Sequence, residues 1–158
     1  TEEYRYDALK RLRETNWVGG STQSLTYDSY GNIKNKSDVG DYTYGENGAG
    51  PHAVSSTSDG ATYQYDANGN MISDTTTGGG RTLIYSSFDK PTQIIKGNHQ
   101  IDFSYGPGRS RYKRIDINSE DGSVDRVTLY LGGVESITFA KGNVEDRRYI
   151  DGQVLITR

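Results

Sequence analysis

The chain has no cysteine, one methionine, one tryptophan, three prolines and two histidines among 158 residues. Without thiols there is neither a disulfide framework nor a thiolate metal site, and the redox compartment cannot be read from cysteine usage. Aliphatic side chains are also scarce. Leu, Ile, Val and Phe together make up about 18% of the chain, below the roughly 20% at which a chain reads as disordered. Disorder, however, pairs low hydrophobicity with high net charge, and the net charge is only −3, so a folded chain is expected. That mildly acidic balance gives no reason to expect nucleic acid. No apolar run is long enough to span a membrane as a helix, and no leader or lipidation motif is present.

What the sequence has in quantity is tyrosine and glycine, 13 and 20 residues. The clearest unit is Tyr63-Gln64-Tyr65-Asp66-Ala67-Asn68-Gly69-Asn70-Met71. Two aromatics at i and i+2 share one face of an extended strand. Asp66 can then accept from backbone amides two residues on, and Asn68-Gly69 tolerates positive φ, so the chain reverses and Met71 begins the return strand. Equivalent second aromatics fall at Tyr6, Tyr27, Tyr44, Tyr65, Tyr85, Tyr105, Tyr130 and Tyr149, about 20 residues apart. Such a period marks a repeat array in which one hairpin stacks on the next. Asp follows the tyrosine as Asp7, Asp28 and Asp66, and Gly31-Asn32 and Gly69-Asn70 complete the best two turns. The residue two before the tyrosine is Thr128 and Arg147 in the last two copies, where the pattern fades.

Turn signals at Asp59-Gly60, Gly97-Asn98, Asp121-Gly122, Gly142-Asn143 and Asp151-Gly152 divide the remainder into short strands, about sixteen in all. Residues 5–14 have a helix-favouring composition, but the tyrosine phase assigns strands to 3–6 and 11–15 around a turn in which Leu9 takes the glycine's place. The expected fold is all-β: an antiparallel hairpin array spanning 1–158 as about eight repeats of about 20 residues. Because it opens directly on a repeat and closes on a predicted strand, both ends read as cut from a longer array. Exposed edge strands would then favour dimerisation or aggregation of the isolated segment.

The candidate chemistry is thin. Asp66-x-Asn68-Gly69-Asn70 resembles a calcium loop in composition, but its glycine stands at the fourth position rather than the sixth and Thr77 replaces the final glutamate. The loop 45–50 is followed by no Lys-Ser/Thr pair and no helix, so it is not a phosphate cradle. His52 and His99 lie in unrelated repeats with no nucleophile motif beside them. The dense basic run is 109–114; even strand alternation would put Arg109, Arg111 and Lys113 on one face, a candidate patch for anions. Trp17 and exposed tyrosines are candidates for stacking on sugar rings. No catalytic residue, cofactor or metal is expected.

Tyr27-Asp28-Ser29-Tyr30-Gly31-Asn32 and Tyr65-Asp66-Ala67-Asn68-Gly69-Asn70 resemble the YD repeat of the RHS proteins. Further similarity lies in 44–54, in Tyr105-Gly106-Pro107-Gly108-Arg109 with Arg111-Tyr112-Lys113, and in Leu129-Tyr130-Leu131-Gly132-Gly133 with Glu135. These look like the last repeats before the family's core region in secreted RHS toxins and Tc toxin B/C components. The resemblance implies a secreted or cell-surface protein, a β-ribbon coiling into a hollow shell around a C-terminal toxin cargo, with neighbouring RHS repeats as partners and carbohydrate binding as an associated property. The self-cleaving motif that follows such repeats is not present in this sequence, so no catalytic residue carries over.

Overall fold

A computed structural model describes residues 1–76, 78–150 and 153–157. Every regular element among them is a strand, and every pairing is antiparallel. Residues 5–14 form strand and turn rather than helix. The chain divides into two compact units, Thr1–Gly78 and Gly79–Arg158.

The first unit holds β1 (Glu2–Tyr6), β2 (Leu12–Trp17), β3 (Gln23–Tyr27), β4 (Ile33–Lys36), β5 (Gly40–Tyr44), β6 (Val54–Thr57), β7 (Tyr63–Tyr65) and β8 (Met71–Asp74). β1 to β6 make a six-stranded sheet in chain order, and β7 pairs with β8. A single bridge, Ser56 to Thr62, joins β6 to β7 across the Asp59-Gly60 turn. The second unit holds β9 (Arg81–Tyr85), β10 (Pro91–Lys96), β11 (His99–Tyr105), β12 (Arg111–Asn118), β13 (Val124–Leu131), β14 (Val134–Phe139), β15 (Val144–Ile150) and β16 (Gln153–Thr157), again paired in chain order. The predicted Asp151-Gly152 turn lies outside the described residues.

Six hairpins share one irregularity. Register slips by one residue where the ladder tyrosine meets the start of the return strand: Tyr6 opposite Leu12, Tyr27 opposite Ile33, Tyr44 opposite Val54, Tyr65 opposite Met71, Tyr85 opposite Pro91 and Tyr105 opposite Arg111. Five of the connecting turns close identically. In the Asp66 turn, Gly69 N–H donates to Asp66 C=O at 3.0 Å and Asp66 N–H to Asn70 C=O at 2.9 Å. The turns beginning at Asp7, Asp28, Ser86 and Gly106 repeat both bonds. Such a turn needs positive φ at its fourth residue, which is Gly31 or Gly69 in two copies but Lys10 (63°), Asp89 (58°) and Arg109 (58°) in the others. The glycine position of the first turn is therefore Lys10 and not Leu9, as the sequence had suggested. Tyr130 and Tyr149 leave the pattern, pairing in register with Glu135 and Val154 without a slip.

Burial alternates along β3, β5 and β9, the tyrosine face being the more covered. Even so, among described residues only Leu25, Ala61 and Ile137 are buried hydrophobics. The ladder was expected to supply the core, yet Tyr27, Tyr44, Tyr65, Tyr85, Tyr105 and Tyr130 are half-buried and Tyr6 and Tyr149 are exposed.

Left-handed backbone costs a side-chain-bearing residue roughly 1–2 kcal/mol, partly offset by the greater unfolded-state freedom of glycine. Lys10→Gly should therefore raise the urea-unfolding free energy by about 0.5–1 kcal/mol. Gly69→Ala, whose added methyl meets nothing within 4 Å, should lower it by about 1–2 kcal/mol through backbone strain alone.

Candidate functional site

The recurrent polar constellation begins with the ladder hydroxyls. Tyr27 Oη donates to Leu12 C=O at 2.7 Å, Tyr44 to Ile33 at 2.9 Å, Tyr65 to Val54 at 3.0 Å and Tyr105 to Pro91 at 2.7 Å. Each acceptor is the first residue after the previous turn, the same residue that opposes the slipped tyrosine of its own hairpin. Pairing between successive hairpins stops short of it. β2 and β3 pair only at Glu14–Ser24 and Thr15–Gln23, β4 and β5 only at Asn35–Asp41 and Lys36–Gly40. Toward the turns the hairpins diverge, and the tyrosine spans the gap to a carbonyl past the end of the ladder. A backbone acceptor left unpaired there would be costly. Burial raises the phenol pKa of Tyr44, Tyr65 and Tyr105 above the ordinary value.

The carboxylate after the tyrosine locks the turn. Asp66 Oδ1 accepts from Asn68 and Asn70 N–H at 3.0 and 2.9 Å, and Oδ2 from Asn70 Nδ2 at 3.0 Å. Asp28 does the same with Tyr30 and Asn32, and Asp7 with Leu9 and Arg11, where Arg11 Nε substitutes for the amide at 2.7 Å. The side-chain and backbone bonds from Asn70 hold Asp66 below the ordinary aspartate range, as the backbone bond from Arg11 does for Asp7. For Asp28, partial desolvation pushes the other way and the bonds from Asn32 outweigh it.

Cations cover several rings. The guanidinium of Arg11 lies 4.3 Å from the Tyr27 ring centroid and the ammonium of Lys90 6.0 Å from that of Tyr105. Arg111 sits between Phe103 (5.0 Å) and Tyr130 (4.5 Å), and Arg109 lies 5.4 Å from Phe88. The basic run is thus not an evenly alternating face. The slip at Tyr105 places Arg111 on the Phe103 side, whereas Lys113 lies opposite Ser104 on the other side. Of Arg109, Arg111 and Lys113, two are engaged with rings. Arg114 and Arg126 both clasp Asp116, holding its carboxyl low against the desolvation it suffers. His99 and Asp116 line one groove of about 430 Å³, along with Arg126 and Phe139.

A groove of about 730 Å³ is lined by Asp28, Tyr30, Asn32, Tyr42, Tyr44, Gly45, Pro51 and His52. Asn32 is its hub. Its Nδ2 donates to Asp28 Oδ2 and to Pro51 C=O at 3.2 Å, and its Oδ1 accepts from His52 Nδ1 at 2.6 Å. Because both partners of the amide nitrogen can only accept, the orientation of Asn32 is fixed and His52 carries a proton on Nδ1. This pairing spans 20 residues and lies outside any local sequence pattern. Tyr42 and Tyr44 stack at 6.4 Å beside it, and Tyr30 is 81% exposed. A second aromatic hollow of about 430 Å³ is lined by Tyr4, Thr15, Trp17, Gly20, Ser21 and Gln23. Here Trp17 is 60% exposed.

These surfaces present ring faces beside amides, hydroxyls and carboxylates, a set suited to polar, C–H-bearing ligands. Among the described residues, no three His, Asp or Glu side chains converge as a metal set. Comparison with protein-family models and with the curated proteins finds no match to this chain.

Tyr65→Phe removes a hydroxyl that satisfies Val54 C=O and should cost about 1 kcal/mol in urea unfolding. Tyr130→Phe, with no hydroxyl partner among the described residues, should be neutral. The lowered carboxyl pKa values of Asp7, Asp28 and Asp66 make a second prediction. Their stabilisation is complete above the ordinary aspartate value of about 3.9 and fades as pH falls below it. Thermal unfolding should show the midpoint dropping through that range, with a shallower drop in Asp66→Asn.

Proposed function

We propose that the chain is a non-catalytic structural segment of an RHS-type toxin shell, whose work is to enclose or present a C-terminal cargo. The observation that carries this is the repetition of one inter-hairpin clamp, Tyr27 to Leu12, Tyr44 to Ile33, Tyr65 to Val54 and Tyr105 to Pro91. Its polar groups are used in building the array: the hydroxyls bond carbonyls of the preceding hairpin, the carboxylates lock their own turns, and several cations lie over rings. This use of side chains suits a scaffold extended by adding units, and the motifs Tyr27-Asp28 and Tyr65-Asp66 are those that resemble the YD repeat. In this reading the neighbours of the segment are further RHS repeats, the parent protein is secreted or displayed at a cell surface, and the array is curved.

The test is limited proteolysis of the array joined to its native downstream segment. Enclosure predicts that the downstream segment survives protease while the array is intact, and becomes accessible when Tyr44, Tyr65 and Tyr105 are changed together to Phe. A downstream segment cut equally fast in both proteins would sink the proposal.

The second reading is a carbohydrate- or surface-binding module, favoured by the exposed Trp17 and Tyr4 around one hollow. It predicts saturable binding to an oligosaccharide in calorimetry, reduced at least tenfold in Trp17→Ala, the effect of about 1.4 kcal/mol of lost stacking. An unchanged affinity in that variant would rule out this hollow.

A further inference from the structure

Four Asn-Gly or Asp-Gly pairs lie wholly among the described residues: Asn47-Gly48, Asp59-Gly60, Asn68-Gly69 and Asp121-Gly122. In three of them the glycine closes a turn and its N–H is a donor, Gly60 to Thr57 C=O at 3.0 Å, Gly69 to Asp66 C=O at 3.0 Å and Gly122 to Asn118 C=O at 2.8 Å. Asn47-Gly48 is built differently. It occupies the two central positions of the turn closed by Ala49 N–H on Glu46 C=O at 3.0 Å. Both residues have positive φ, 55° and 83°. Central amides of a turn point away from the closing bond, and Gly48 N–H has no partner among the described residues. Asn47 and Gly48 are exposed, and nothing lies within 4 Å of where a Cβ on Gly48 would be.

The geometry points to Asn47 as the site at which this protein deamidates, with water as the only co-reactant. The Gly48 amide nitrogen, once it loses its proton to solvent base, attacks Asn47 Cγ and forms a new N–C bond. The Cγ–Nδ2 bond breaks and the amide leaves as ammonia with a proton returned from solvent, giving a cyclic succinimide. Water then opens the ring at either carbonyl, yielding aspartate or isoaspartate at position 47. The step needs an amide nitrogen that is not donating, a following residue with no Cβ to block the approach, and room for the Asn47 backbone to rotate. Asn47-Gly48 meets the first two, and because the pair is exposed only the closing bond of its own turn, Ala49 N–H on Glu46 C=O, opposes the third. Asn68-Gly69 meets only the second, because its amide is held by Asp66 and Asn68 N–H is held as well.

The product matters because of where the loop leads. The same loop carries Pro51 and His52, which grip Asn32. A new carboxylate at position 47, or a backbone rerouted through its side chain, alters the segment that forms one wall of the groove beside Asp28 and Tyr44.

The wild-type protein should be incubated folded in mildly alkaline buffer and sampled by peptide mass spectrometry with isoaspartyl-methyltransferase labelling. Asn47 should convert about fivefold faster than Asn68, the factor expected if one net backbone hydrogen bond must open first at the second site. In strong denaturant the two sites, both followed by glycine, should approach a common rate. Asn47→Gln should abolish the fast phase and leave the slow one. Conversion of Asn68 in the folded protein as fast as that of Asn47 would overturn the inference. So would folding-induced protection as great at Asn47 as at Asn68.

Discussion

The six hairpins that carry the register slip face the same problem: strands that pair well at one end separate as they run toward the turns. The one-residue slip opposite the tyrosine leaves the first carbonyl of the return strand beyond the reach of the next ladder. An acceptor stranded this way would forfeit a hydrogen bond. The next tyrosine supplies the missing donor through a rigid ring long enough to cross the gap. The choice of tyrosine follows from that geometry, since a shorter residue would not reach and a phenylalanine would arrive without a donor.

The small number of fully buried side chains fits this arrangement. A deep core would have needed many more aliphatic residues than the chain has. The strands instead rely on half-buried rings: in Tyr27, Tyr44, Tyr65 and Tyr105 a carbonyl holds the hydroxyl, and over Tyr27, Tyr105 and Tyr130 a cation lies on the face. Arg11 shows how few residues suffice, since one guanidinium both bonds Asp7 and lies over Tyr27. Stability in such a system is distributed between neighbours along the chain.

What could be read from the residues was what acts over short range. Tyrosine spacing, the Asp-x-x-Gly-Asn turns and the strand positions depend on neighbours within a few residues. The left-handed Lys10 was missed because Asp7-Ala8-Leu9-Lys10 has no glycine to mark the position, and the closing bonds impose the conformation regardless. The faces of Arg111 and Lys113 were misjudged because strict alternation ignores a bulge. The Asn32–His52 contact was invisible, as it depends on how two turns lie against each other. The loss of the pattern at Tyr130 and Tyr149 was foreshadowed by Thr128 and Arg147, where the apolar partner of the tyrosine is gone.

The clamp also has a direction. In all four described examples the hydroxyl reaches back to a carbonyl earlier in the chain, by 11 to 15 residues. During synthesis the acceptor therefore always leaves the ribosome before its donor. Each new hairpin meets a finished template and never has to wait for one, so growth proceeds in one sense, like a zip closed from its fixed end. Newly made chain would then expose about one unsatisfied repeat at a time, which limits the sticky edge available to other nascent chains in a protein whose strands have so little core to retreat into.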